Sequence, residues 1–104
     1  EVRLVYAEGS SYQGQPVILT EYGGISLNTS NDGDKWGYYE NAEDEEEYLA
    51  RLEIITRKLL ENPLIKGFCY TQMTDVMQEA NGLLTIDRQP KAEMERLNRI
   101  FSGK

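Results

Sequence analysis

The chain has 104 residues, 39% of them hydrophobic and 28% charged, enough for one small domain that buries roughly two-thirds of its unfolded surface. With 18 acidic against 11 basic side chains the net charge is -7, which repels phosphate backbones and argues against nucleic acid as a partner. No apolar run approaches the roughly 20 residues of a membrane span.

Histidine is absent, and Cys69 is the only cysteine, so imidazole chemistry, an internal disulfide and a thiolate metal cluster are excluded. Carboxylates are what remain for catalysis, and neither a metal nor a cofactor is expected. Cys69 lies in an apolar stretch and is expected to be a buried structural thiol. The sequence opens on glutamate with no signal pattern and reads as a piece of a longer chain.

Val2, Leu4 and Tyr6 alternate with polar residues, the period of a short half-buried strand, and Glu8-Gly9-Ser10-Ser11 supplies a turn. Gly14-Gln15-Pro16 breaks the chain before Val17-Ile18-Leu19, a β-favouring apolar run that predicts a strand buried on both faces, as in parallel sheets. Gly23-Gly24 ends it. Residues 28–39 form a loop rich in Asn, Asp, Gly and Ser that carries Trp36, Tyr38 and Tyr39, an aromatic content that favours function.

A helix is predicted over residues 41–60, with Tyr48, Leu52, Ile55 and Leu59 on one face and Asn41 as its cap. The acidic run 43–47 suits the positive end of its dipole, and Arg57 and Lys58 suit the other end. Asn62-Pro63 stops the helix, and residues 64–70 read as a second buried strand. After a polar segment, Asn81-Gly82 marks a turn, residues 83–86 are short and extended, and residues 87–90 turn again. A final helix over residues 91–101 is expected to bury Met94, Leu97, Ile100 and Phe101.

The order strand, helix, strand, helix is that of an α/β chain with parallel strands. Two strands do not make a sheet with two covered faces, so something else must complete it. Glu21 stands at the C-terminal end of the first core strand, the end where reactive side chains gather in α/β barrels.

Four strings, read together, carry a resemblance. Pro16-Val17-Ile18-Leu19-Thr20-Glu21-Tyr22-Gly23-Gly24 comes first, then Gly67-Phe68-Cys69-Tyr70-Thr71-Gln72-Met73-Thr74-Asp75-Val76, then Asn81-Gly82-Leu83-Leu84, then Asp87-Arg88-Gln89-Pro90-Lys91. In this order they resemble the end of the catalytic barrel of glycoside hydrolase family 2, the family of β-galactosidases and β-glucuronidases. The resemblance covers nearly the whole chain and implies that residues 1–104 are a fragment of a TIM (β/α)8 barrel, its last two βα units, with strands 7 and 8 and their helices.

Glu21 then falls on the nucleophile position of a retaining glycosidase, whose carboxylate attacks the anomeric carbon while a carboxylic acid about 5 Å away protonates the leaving oxygen. That second group lies in an Asn-Glu pair upstream, and no such pair occurs in the chain. Asp75 and Glu79 are weak substitutes. Tyr70 replaces a tryptophan that lines the sugar pocket in many members, and serves either as pocket wall or as ordinary core. Tyr22 and Trp36 are the other substrate-binding candidates, Trp36 as a sugar platform or as a loop anchor. Asn81 and residues 87–91 match the family while doing the local work of turns and a helix start.

The leading reading is thus part of a retaining β-glycosidase, inactive alone, whose partners are a β-glycoside substrate and the rest of the barrel. The excised piece is expected to self-associate. The alternatives are a small acidic module that binds carbohydrate or protein through Trp36, Tyr38 and Tyr39, and a parent that keeps the barrel only as scaffold.

Overall fold

The computed structural model describes residues 6–27 and 41–104. Val2 and Leu4 of the predicted opening strand, and Trp36, Tyr38 and Tyr39 of the aromatic loop, lie outside the described residues.

The apolar run after Pro16 forms β1 (Val17–Gly23), and the run after Pro63 forms β2 (Ile65–Thr71). The two pair in parallel, with α1 (Glu45–Glu61) crossing between them and α2 (Met94–Ser102) following β2. This is the α/β alternation that the sequence predicts.

α1 begins at Glu45 and not near Asn41, because Asp44 takes the capping position. Its backbone is extended and its carboxylate accepts from the Glu47 N–H at 2.8 Å, while the Glu47 carboxylate reaches back to the Glu43 N–H, also at 2.8 Å. That is close to a reciprocal capping box. Asn41 is used elsewhere: its side-chain oxygen accepts from the Ser26 hydroxyl, and the neighbouring Ala42 N–H donates to the Ser26 carbonyl at 2.7 Å. The stretch leaving β1 is thereby stitched to the stretch entering α1.

The core gathers Tyr48, Leu49 and Leu52 of α1, Leu97 of α2, and Ile25, Ala42 and Ala92 from the connections, with Ile55, Tyr70, Leu83, Ile100 and Phe101 packed around it. The helical stripe predicted for α1 holds for Tyr48, Leu52 and Ile55, while Leu59 is half-buried outside this core and Leu49 joins it. In α2 the expectation holds for Leu97, Ile100 and Phe101 and fails for Met94, which is exposed. The helix starts three residues later than predicted, since the Lys91 N–H is drawn to the Leu83 carbonyl at 3.1 Å and Lys91 belongs to the preceding loop. Met94 then occupies the first helical position, where side chains lean past the helix start.

Two further expectations are corrected. The strands are not buried on both faces: along β1, Val17 and Leu19 are half-buried whereas Ile18 and Thr20 are exposed. Cys69 is exposed, not buried. Both follow from a sheet of two strands, in which only the face under the helices is covered. Residues 83–86, expected to be short and extended, pair only at one position. Leu84 makes single bridges to Thr74 and Pro90, and the chain then turns through Arg88, at φ 62°.

Candidate active site

Leu19 pairs with Phe68 and Tyr22 with Tyr70, so Thr20 and Glu21 together face the single residue Cys69. This is a β-bulge, an extra residue that bends the strand and re-aims a side chain, a feature common beside active sites. Glu21 is exposed within it, two residues before the end of β1.

On the helix side four rings fix the strand end. Tyr22 meets Phe68 edge-on at 5.3 Å and Tyr70 at 5.4 Å, and Tyr70 meets Phe101 of α2 at 5.5 Å. The Tyr22 hydroxyl and the Thr56 hydroxyl of α1 share a 3.0 Å hydrogen bond. Since Phe68 and Tyr70 both touch Tyr22, Cys69 between them points to the opposite, open face.

Tyr22, a substrate-binding candidate, and Tyr70, expected as pocket wall or as ordinary core, both pack against neighbouring rings at the strand ends. Burial raises the Tyr22 pKa, with the Thr56 hydrogen bond opposing it. Burial likewise pushes Tyr70 far up, with neighbouring Tyr48 adding to the shift. Neither phenol is placed to exchange protons near neutrality.

The exit from the bulge needs glycine. Gly23 has φ 112°, and a Cβ there would come within 2.4 Å of the Tyr70 ring. Gly24 then donates its N–H to the Thr71 carbonyl at 3.1 Å, which ties the ends of the two strands together.

The loop after β2 holds a buried interlock. Asp75 accepts from the Lys91 ammonium at 2.6 Å and from the Gly82 N–H at 2.9 Å, and Lys91 donates also to the Ala80 carbonyl at 2.8 Å. The pair brackets Asn81, which is fully buried and donates its side-chain N–H to the Thr71 carbonyl at 3.4 Å. Gly82 is required here because a Cβ would meet the backbone of Thr74 at 2.4 Å. Asp75 is therefore engaged in an ion pair and is not free to serve as an acid/base partner for Glu21.

Sequence reading took Asn81 and residues 87–91 as turn-formers and missed this interlock. The signal available was slight: an aspartate and a lysine flanking Asn-Gly, 16 residues apart, beyond the reach of any local periodicity.

Glu21 also borders a mostly apolar cleft of about 520 Å³ along the unpaired edge of β1, lined further by Ile25, Arg51, Ile54, Ile55 and Leu59. Among the described residues no group of three or more His, Cys, Asp or Glu side chains is placed to hold a metal, and no helix is long and apolar enough to cross a membrane. Trp36, the remaining candidate, lies outside the described residues.

No protein-family description matches the sequence, nor does any curated protein. A solved structure does: the β-glucuronidase of Bifidobacterium dentium, in complex with coumarin-3-O-glucuronide, is 27% identical over 86% of this chain, with a TM-score of 0.59. The chain spans 15% of the length of that enzyme, and is similar in sequence and fold to one short stretch of a bacterial glycosidase.

Proposed function

We propose that this chain is the terminal pair of βα units of a (β/α)8 barrel belonging to a retaining β-glycosidase of the family 2 type, and that Glu21 is its nucleophile. The observation that carries this reading is the bulge that sets Glu21, exposed, at the C-terminal end of β1, in a chain similar to part of a β-glucuronidase.

In this mechanism a Glu21 carboxylate oxygen attacks the anomeric carbon of a β-glycoside. The bond from that carbon to the leaving oxygen breaks, and that oxygen takes a proton from a carboxylic acid supplied by another part of the barrel. Water, deprotonated by the same group, then releases the sugar and regenerates Glu21. Tyr22, Phe68 and Tyr70 hold the bulge from the helix side, which keeps the carboxylate oriented.

Asp75 is locked to Lys91, and the Asn-Glu pair that supplies the acid/base group in the family does not occur in this chain, so the isolated chain is expected to be inert. The test is hydrolysis of a panel of aryl β-glycosides by the full-length parent, beside Glu21→Gln and this chain alone. Loss of several orders of magnitude in the variant supports the assignment. Near-normal activity in Glu21→Gln removes it.

A further inference from the structure

Between the bulge and the ends of β1 and β2 only two residue pairs remain, Tyr22 with Tyr70 and Gly23 with Thr71. An extra residue so close to a strand end is lost if β1 slides by one position, and such a slip turns side chains to the opposite face. Glu21 keeps its place only if the register beyond it is pinned.

The pin is the Thr71 carbonyl. It accepts from the Gly24 N–H at 3.1 Å, which holds the chain just past the end of β1. It accepts also from the side-chain Nδ2 of Asn81 at 3.4 Å. A carbonyl oxygen has two acceptor lone pairs, and here one serves the exit from β1 and the other the loop after β2.

Asn81 is itself held from both sides. The Lys91 ammonium donates to the Ala80 carbonyl before it, the Asp75 carboxylate accepts from the Gly82 N–H after it, and the two charges meet at 2.6 Å. The Asn81 carbonyl accepts the Gln72 N–H at 3.5 Å. The side chain is fully buried, and its Oδ1 has no hydrogen-bond partner among the described residues. A buried amide oxygen left unpaired is a cost that an apolar residue of similar size would not carry. What the amide supplies in return is its N–H group, and the group it holds is the Thr71 carbonyl.

We propose that Asn81 is a positioning residue for Glu21: its buried amide fixes the Thr71 carbonyl that holds Gly24, and so sets the bulge register that presents the carboxylate. This rests on the reading of Glu21 as nucleophile. Asn81 touches neither substrate nor Glu21, and its effect on the reaction passes entirely through the place of that carboxylate.

The experiment uses the full-length parent with an activated aryl β-glycoside. The variants are Asn81→Leu and Asn81→Ser, neither of which carries an amide to reach Thr71. Both kcat and kcat/KM are expected to fall about a hundredfold, the cost of displacing a reacting group by about 1 Å. The same substitutions are then made in Glu21→Gly, with azide supplied to attack the anomeric carbon in place of the missing carboxylate and displace the phenol. Azide diffuses into position and is not carried by the bulge. The azide-supported rate should therefore change by less than about twofold when Asn81 is replaced.

Activity within about twofold of the parent in both Asn81 variants overturns the proposal. So does an equal loss with and without the Glu21 carboxylate, or a failure of both variants to fold, since Asn81 then serves the fold alone. A Glu21→Gly variant that keeps its activity, or that azide does not revive, overturns instead the reading of Glu21 on which the proposal rests.

Discussion

Asp75 and Lys91 meet at 2.6 Å with side chains only 6% and 7% exposed, and between them they fix the Ala80-Asn81-Gly82 turn. A buried pair of this kind is costly to break because the surviving charge is left without water or partner. Lys91→Met is therefore expected to lower the unfolding free energy of the protein by about 3–5 kcal/mol. The double variant Asp75→Leu/Lys91→Met, which leaves no orphan charge, should recover part of that loss. Urea unfolding followed by circular dichroism checks both. A single variant within about 0.5 kcal/mol of wild type would show that the pair is not buried in solution.

Much of this architecture is legible in the sequence because it is local. The spacing of Tyr48, Leu52, Ile55 and Leu59 marks one face of a helix, and Asn62-Pro63 marks its end whatever surrounds it. Asn41 and Asp44 are both good caps, and which one acts depends on the Ser26 contact that draws Asn41 away. Burial of Cys69 is not a local property. Its apolar neighbours suggest an interior, yet exposure is decided by whether another layer lies across that face of the sheet. The bulge at Glu21 is likewise invisible in one strand alone, since it exists only as a mismatch of register with β2.

Gly23 and Gly82 are both required, for different reasons. Replacing Gly82 by alanine drives a Cβ into the backbone of Thr74 and Asp75, which cannot move without disturbing the Asp75 interlock. At Gly23 the obstacle is the Tyr70 ring, combined with a positive φ that alanine tolerates poorly. Each alanine is expected to cost about 1–3 kcal/mol by overpacking. Adding Tyr70→Leu should restore part of the loss for Gly23→Ala and none for Gly82→Ala, as read from thermal unfolding of the two double variants. Equal recovery in both would contradict the contacts described.

Tyr48 sets an alkaline limit. Burial pushes its pKa up to about 12, the Tyr70 hydroxyl beside it works against the shift, and the Asp75 charge adds to it. A group whose folded pKa lies above its unfolded value of 10.0 contributes stability in full below that value. The contribution is lost as pH rises towards 12. Stability should thus fall between pH 10 and 12, in step with the tyrosinate absorbance. Neither the Tyr48 nor the Tyr70 hydroxyl makes a hydrogen bond of ordinary geometry, so Tyr48→Phe/Tyr70→Phe should be near neutral at pH 7 and flatten the alkaline fall. A large loss at pH 7 would mean that the phenols are partnered after all.

Among the described residues β1 has a strand partner on one side only, and Ile18 is exposed, the pattern from which strands pair between molecules. The isolated chain should self-associate. Because its net charge is -7, association should strengthen as salt screens the repulsion. Ile18→Lys should weaken it. Sedimentation that finds a compact monomer at high concentration and high salt would sink this prediction.

Cys69 offers a direct test of whether a barrel closes over this sheet. Its side chain lies on the face opposite Phe68 and Tyr70, and in this chain that face is open. If β1 and β2 are the last strands of a barrel, the same face is turned inward in the parent and packed by layers of side chains from the other strands. A thiol reagent should then label Cys69 rapidly in the isolated chain, and more slowly by orders of magnitude in the folded parent, becoming fast again when the parent is unfolded. Equal labelling in the chain and in the folded parent would mean that the face stays open and that the strands are not part of a closed barrel. Glu21 would in that case stand on an exposed surface, without the enclosure that glycosyl transfer to a carboxylate requires.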